Sequence, residues 1–328
     1  MTVPRVSIGV PVYNGAKYLP VSLESLLRQD FEDFELLISD NASTDETEEI
    51  CQAYAAADRR VRYWRNEVNI GSSRNYRRVF EAARGELFKW CSHDDVCRPT
   101  FLRRCLEVFD SEPRSVVLVY PRCDLIDELG EVIRRAPDLV ATRHKRPYRR
   151  LAHVLANVSA VYPIWGVIRS ECLRKTALTG AVWYWDEVLL AELALYGEIV
   201  EIPEVLSEQR CHDGNALAQC SAAQGAAVAG NPGKADRATR RALRAWTDPF
   251  SGGGGIWLPN QEERYWEYAK RIHRSSLSVR EKLLCYEVIP IVCYWSRFRK
   301  FGGLWKRRLR RERGKISSRL PLYGDEPR

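Results

Sequence analysis

Two adjacent carboxylates, Asp94 and Asp95, stand in KWCSHDDVC (residues 89–97), just after a short apolar run and directly after His93. A carboxylate delivered by a strand end suits a hard divalent cation such as Mg2+ or Mn2+, which takes one or two protein oxygens and fills its other positions from a bound diphosphate. Helix capping is the competing reading, because Pro99 and Thr100 start a helix a few residues on. A third acid, Asp40, closes the apolar run of LLISDNASTDET, where Asn41 follows it. Ser43, Thr44 and Asp45 supply the next helix cap, which frees Asp40 to accept an N–H from a nucleobase edge while Tyr13 offers a stacking face. In NEVNIGSSRNY (66–76), Gly71 permits a tight turn, and a helix start carrying Arg74 and Asn75 suits an anionic diphosphate. An ordinary loop with a surface arginine fits the same residues, and no GxxxxGK[ST] phosphate loop is present. WYWDEVLL presents Asp186 and Glu187 behind Trp183, Tyr184 and Trp185, aromatics of the kind that wall sugar sites; acids in a first turn also simply complement the helix dipole.

These residues need a frame to bring them together. Apolar runs at 6–12, 34–40, 61–66 and 86–91 read as strands, separated by helical patterns at 17–29, 44–57 and 72–83. In the first of these helices Leu19, Leu23, Leu26 and Leu27 share one face, and Ser43 or Thr44 caps the second. Strictly alternating strands and helices predict an open, mostly parallel sheet flanked by helices, with ligands held beyond the C-terminal strand ends. Pro11 to Asn14, Asp40 and Asn41, residues 66–74 and Ser92 to Asp95 all fall at such ends. Beyond them a helix is predicted near 100–109, a strand at 116–120, a hairpin turn at 127–130, a helix at 186–195 and a strand at 198–203.

Composition narrows the function classes. The 328 residues are 45% hydrophobic, enough for a large core. The net charge of +8 is uneven: residues 261–328 carry 18 Lys/Arg against 8 Asp/Glu, leaving the rest slightly acidic, which disfavours nucleic-acid binding by the main body. Ten cysteines without a CxxC pair read as core residues of a reducing compartment. The N-terminal residues lack the pattern of a secretory signal, and the best membrane candidate, CYEVIPIVCYW, is short and interrupted by Glu287 and Pro290. The expected location is cytoplasmic, or peripheral on the inner face of a membrane. In SRFRKFGGLWKRRLRRERGK (296–315), cations interleave with Phe298, Phe301, Leu304, Trp305 and Leu309, which reads either as a solvated face or as a basic amphipathic helix on anionic lipid.

VSIGVPVYNGAKYLPVSLESLLRQ, LLISDNASTDET, NIGSSRNYRRVFEAARGE and WCSHDD together resemble family 2 of the inverting glycosyltransferases, strongly over residues 4–110 and more loosely to 212. The resemblance implies a GT-A fold, an α/β nucleotide-diphospho-sugar transferase with a mostly parallel open sheet and, here, a helical C-terminal extension. It implies that residues 1–95 form the nucleotide-sugar half and 96–215 the acceptor and catalytic half of one domain, followed by a linker or lid (216–260) and a basic helical extension (261–328). By the same resemblance Pro11, Tyr13 and Asn14 flank the nucleoside and Asp40 recognises the base. Asp94 is the metal-binding acid of an Asp-x-Asp motif whose first acid is Ser92 here, with Asp95 beside it and His93 as a partial compensation. Asp186 resembles the catalytic base, with Glu187 the alternative, and Arg210 and His212 in EQRCHDG resemble an Arg-x-His segment that closes over the diphosphate or metal. The implied cofactor is Mg2+ or Mn2+, the donor a nucleotide-diphospho-sugar, and the acceptor a glycan, lipid-linked or envelope-polysaccharide hydroxyl. A non-catalytic nucleotide-sugar-binding or membrane-associated protein of the same fold is the alternative; a nucleotidylyltransferase is disfavoured because PVYNGAKYLP lacks its glycine-rich basic loop.

Overall fold

VSIGVPV alternates large side chains (Val6, Ile8, Val10, Val12) with small ones (Ser7, Gly9, Pro11), so one face of the strand can fill a core while the other admits close approach. In the computed structural model, which describes residues 3–136, 140–158, 161–180, 184–212 and 261–292, this run is strand β1 (Val6–Val12), buried throughout. There follow α1 (Leu19–Leu27), β2 (Phe34–Asp40), α2 (Thr47–Ala57), β3 (Val61–Arg65), α3 (Ser72–Glu81) and β4 (Leu87–Trp90). Then come β5 (Val96–Cys97), α4 (Phe101–Ser111), β6 (Val116–Ile126), β7 (Val132–Arg135), α5 (Pro147–Asn157), β8 (Val167–Arg169), α6 (Ser170–Leu173), α7 (Trp185–Tyr196) and β9 (Glu198–Arg210). After the intervening segment the described chain ends in α8 (Gln261–Arg274) and α9, over 279–292. The expected linker or lid at 216–260, the basic segment at 296–315 and Trp183 lie outside the described residues.

The described strands form one sheet in the order β3-β2-β1-β4-β8-β6-β9-β5, with β7 paired to β6. The first four strands are parallel, as the strand-helix alternation requires, while β8 runs antiparallel to both β4 and β6 and makes the second half mixed. The chain moves outward from β1 to β3 and then returns past β1 to β4. That reversal opens a crevice between the C-terminal ends of β1 and β4, where such sheets hold ligands. Pro11 lies past the last β1–β4 register pair, Gly9 with Trp90, so its missing N–H leaves no gap in that ladder.

Two cores cover the sheet. One gathers Val6, Ile8, Val10, Leu19, Leu23, Leu26, Ile38, Phe101 and Leu106; the other gathers Val79, Phe88, Trp90, Leu118, Ile168, Trp185 and Leu189. On the small-residue face of β1, a Cβ added to Gly9 would lie 2.7 Å from Val79 Cγ2 and 2.8 Å from Phe88 Cζ. Gly9→Ala is therefore expected to destabilise the fold by about 1–3 kcal/mol through overpacking, read as a lower urea midpoint at unchanged slope. α5, α7, α8 and α9 share a third cluster that includes Leu151, Tyr184, Val188, Leu195, Tyr268, Ile272 and Ile289, so the C-terminal helices dock on the body of the fold. Among the described residues no helix is long and apolar enough to cross a membrane. The eight described cysteines are free thiols, all buried but Cys211, in keeping with core use.

Several boundaries differ from those expected. α2 starts at Thr47, not Thr44: Glu46 is the residue at the cap, and just before it Asp45 Oδ1 accepts from the Thr47 N–H (3.2 Å) and hydroxyl (2.5 Å). β6 and β9 run well past the apolar stretches that announced them, to Ile126 and Arg210, and their mutual register shifts around Pro121 and Arg122. The 127–130 hairpin turn forms as expected, with Asp127 N–H bonded to Glu131 O.

Candidate active site

The crevice is walled by two loops that depart from ordinary backbone. Asn14, just past β1, and Ala42, just past β2, have φ of 50° and 61°, left-handed values that L residues avoid. Asn14 is locked there: its N–H donates to Ser43 Oγ (2.9 Å) and its Oδ1 accepts from Thr44 N–H (2.8 Å). Tyr13 beside it is 44% exposed, its ring available for stacking. A cavity of about 290 Å3 opens here, lined by Asn14, Gly15, Lys17, Tyr18, His93, Glu128 and His212.

Asp40 is fully buried. Its Oδ1 accepts from Ser43 N–H (2.8 Å) and its Oδ2 from the Tyr63 hydroxyl and Arg65, each at 3.2 Å. The helix cap that was expected to leave this carboxylate free is thus partly built on it, and Asp40 orders the loop behind Tyr13. Asn41 and Asn75 are internal in the same way. Asn41 Oδ1 accepts from Asn66 Nδ2 (3.0 Å) and Ile70 N–H (2.9 Å), tying the β3–α3 loop to the end of β2. All four hydrogen-bonding positions of the Asn75 amide are occupied: Nδ2 donates to Ser39 O and Val12 O, and Oδ1 accepts from Ser39 Oγ and Asn66 Nδ2. Gly71 opens α3 at φ 85° and ψ 153°, a conformation essentially confined to glycine. Arg74, in the first turn, is exposed.

At the end of β4, Asp94 is 5% exposed, yet both carboxylate oxygens have partners: the Ser92 hydroxyl donates to Oδ1, and His212 Nε2 lies 2.9 Å from Oδ2. Burial opposes its charge, but the His212 hydrogen bond, the neighbouring His93 and the Ser92 hydroxyl prevail and hold the carboxyl down at about 2. In Asp95, burial and the adjacent Asp94 charge push the carboxyl well above its usual range, against the N–H of Arg210 that donates to its Oδ1 (3.1 Å). The two neighbours are thereby driven apart: Asp94 is the anion. Burial lowers His93, which packs where Gly15 leaves room for its ring. Arg210 fastens this loop, donating to Asp94 O (3.1 Å) and to Asp127 O (2.9 Å) while its guanidinium lies 4.7 Å from the Tyr18 ring centroid. Among the described residues no three metal-binding side chains cluster. Asp94 and His212 together fit a cation that takes its remaining ligands from a diphosphate.

The second acidic site lies at the start of α7. Trp185 packs against Tyr76 (5.3 Å between ring centroids) and Trp90 (6.1 Å) and so joins the core beside β4, while Tyr184 belongs to the cluster with α8. Burial pushes the Asp186 carboxyl up to about 7, against the Glu187 N–H that donates to Oδ1 (2.8 Å). Glu187 faces elsewhere: its Oε2 is 3.0 Å from Arg264 Nη1 and its Oε1 accepts from the Tyr268 hydroxyl, both on α8.

Comparison with known proteins follows from this geometry. The family model described as glycosyl transferase family 2 matches residues 7–166, which span the crevice loops and the Ser92–Asp95 strand end. Residues 7–166 belong to glycosyltransferase family 2. Over 146 residues the chain is 34% identical to an uncharacterized glycosyltransferase of Rickettsia felis, covering 43% of this chain and 23% of that protein. An uncharacterized glycosyltransferase of Nostoc sp. is 29% identical over 220 residues, 64% of this chain and 66% of its own. The chain therefore spans about a quarter of the first relative's length and two thirds of the second's. Among solved structures, TarS of S. aureus, determined in complex with UDP-GlcNAc, superposes with a TM-score of 0.53 at 16% identity, covering 89% of this chain and 87% of that one. The likeness shows the fold, and it is the GT-A fold expected from the sequence.

Three residues that line the crevice, Lys17, Tyr18 and Glu128, were not among those expected from the sequence. Tyr18 meets His212 (4.9 Å between ring centroids) and donates from its hydroxyl to Glu128 (3.2 Å), which also pairs with Lys17 at 2.6 Å. Lys17 and Tyr18 fall inside the β1-end motif and could have been marked there. Glu128 belongs to a hairpin turn 110 residues away from Tyr18, and nothing local announces where that turn folds.

Proposed function

We propose that the chain is an inverting glycosyltransferase, moving a sugar from a nucleoside-diphosphate donor to a hydroxyl of a glycan or lipid-linked acceptor with the help of a divalent cation. The observation that carries this reading is the Asp94–His212 pair, 2.9 Å apart at the sheet reversal, whose His212 lines the cavity next to Asn14 and the exposed Tyr13. In this reading residues 1–95 hold the donor and 96–215 the acceptor and base. Tyr13 stacks on the nucleobase, and Asp40 and Asn14 shape the loop that receives it. Asp94 and His212 hold Mg2+ or Mn2+, which when bound supplies positive charge to the departing diphosphate. Arg74, exposed at the start of α3, adds its own charge to the same oxygens. Asp186 takes the proton from the acceptor hydroxyl as that oxygen bonds to the anomeric carbon, and the bond from that carbon to the diphosphate breaks on the opposite face. Direct displacement of this kind inverts the anomeric centre.

Donor class is tested by thermal unfolding of the full chain with UDP-GlcNAc, the nucleotide sugar in the TarS complex, and with GDP- and dTDP-sugars, each with Mn2+. A true donor raises the midpoint, by an amount equivalent to about 2.7 kcal/mol at a hundredfold excess over Kd. Absence of any shift across the panel overturns the donor assignment. Residues 296–315 are proposed to rest on anionic lipid, close to a lipid-linked acceptor. Deleting 296–328 should then abolish co-sedimentation with phosphatidylserine vesicles, and retained co-sedimentation removes that part of the reading.

A further inference from the structure

Four consecutive residues at the start of α7 point to different neighbours. Trp185 enters the core against Tyr76 and Trp90. Tyr184 and Glu187, which bracket Asp186, are both held by one side chain of α8: the Arg264 guanidinium lies 5.1 Å from the Tyr184 ring centroid and 3.0 Å from Glu187 Oε2. Tyr268, one helical turn along the same face of α8, donates to the other Glu187 oxygen. Glu187 is 18% and Arg264 34% exposed in their side chains, so this is a partly desolvated, two-pronged grip rather than a loose surface pair.

We propose that Arg264 and Tyr268 are positioning residues for Asp186, acting through Glu187 and Tyr184, so that the C-terminal helix α8 completes the active site. The inference rests on Asp186 being the base. A first helical turn is the part of a helix most prone to fray, because its N–H groups have no intrahelical acceptor. Asp186 Oδ1 accepts the Glu187 backbone N–H, so a shift of the backbone at Glu187 carries the Asp186 carboxylate with it. Fixing Tyr184 and Glu187 from outside restrains the backbone of the two residues between them, Trp185 and Asp186. The same arrangement explains why two adjacent acids have different fates. Glu187 is occupied by Arg264 and Tyr268 of α8, which leaves Asp186 as the base in the proposed function.

The charged groups acting on Asp186 are Glu187 on its own helix, which raises its carboxyl, and Arg264 on α8, which lowers it; the Tyr184 and Tyr268 phenols flank them, and Tyr76 of α3 packs on the neighbouring Trp185. Removing each charge therefore predicts opposite movements. The experiment is a carboxyl 13C NMR titration of the full chain labelled at aspartate, in which the Asp186 resonance is the one missing from Asp186→Asn. The wild-type midpoint near 7 should rise in Arg264→Met and fall in Glu187→Gln. In parallel, kcat with whichever UDP-, GDP- or dTDP-sugar the wild type turns over fastest should fall about 10- to 100-fold in Arg264→Met and Tyr268→Phe, with donor KM unchanged and partial recovery in Arg264→Lys. Wild-type midpoints and kcat in both variants, with only a lowered Tm, mean that the contacts serve packing alone and overturn the inference. Full activity in Asp186→Asn instead removes the base assignment, while the NMR midpoints still decide whether Arg264 and Tyr268 set the state of that carboxyl. Should Arg264→Met fail to fold, Arg264→Lys and Tyr268→Phe carry the same readouts.

Discussion

Asp186→Asn should lower kcat for sugar transfer by about 10²- to 10⁴-fold, the range that positioned general bases contribute, with donor affinity nearly unchanged. The choice of Asp186 over Asp94 rests on basicity, and over Glu187 on the partners that Glu187 already has. Asp94 is held at about 2, so it is a weak proton acceptor and a persistent anion; Asp186 is raised to about 7, near the value at which a base is both deprotonated and reactive at neutral pH. Wild-type kcat should accordingly rise with pH through an apparent pKa near 7 and then level, since only the deprotonated carboxylate acts. Glu187→Gln should be milder than Asp186→Asn, because Glu187 already has Arg264 and Tyr268 as partners. A donor-saturated transfer assay reads all of these. Wild-type turnover in Asp186→Asn would remove it from the mechanism.

Asp94→Ala should cost on the order of 10²–10³ in kcat, the scale seen when one preorganised partner of a developing charge is removed. The substitution also strips His212 and Ser92 of their shared acceptor, so both side chains around the cavity lose their alignment. In the wild type EDTA should reduce activity towards the level of the variant, and Mn2+ should restore it. The variant should respond to neither and should lose the Mn2+-dependent part of any donor-induced thermal protection. Equal sensitivity of both proteins to EDTA, or of neither, rules out Asp94 as the cation's anchor. Ser92 gains a defined place in this account. It stands where the family's motif has a first acid and gives its hydroxyl to Asp94, so it supports the carboxylate that would bind instead of adding a second charge.

The first four strands and the loops beyond them were legible because their signals are local: the apolar run VSIGVPV, the leucine stripe of α1, and polar clusters at each strand end. What those clusters do individually was less legible. Asp40, Asn41 and Asn75 were expected to meet the donor, and the structure bonds them to Ser43, the β3–α3 loop and Ser39 through contacts spanning up to 36 residues. β6 and β9 were read short because Pro121, Arg122 and Pro203 interrupt the apolar pattern exactly where the register slips, so alternation no longer tracks the face. The α8 grip on Glu187 had no sequence signal, since YWEYAKRI reads as any amphipathic helix until its partner is known.

The same grip has a consequence for how the molecule comes into being. Glu187 leaves the ribosome 77 residues before Arg264 and 81 before Tyr268, which at about 5–20 residues per second is roughly 4–16 s. During that interval the nascent chain already owns β1 to β4 and the Asp94 loop, and Trp185 has Tyr76 and Trp90 to pack on, yet Glu187 lacks both of its partners on α8. In the proposed function, a growing chain would acquire its donor crevice before the alignment of its base, so that an incomplete polypeptide would not consume activated sugar.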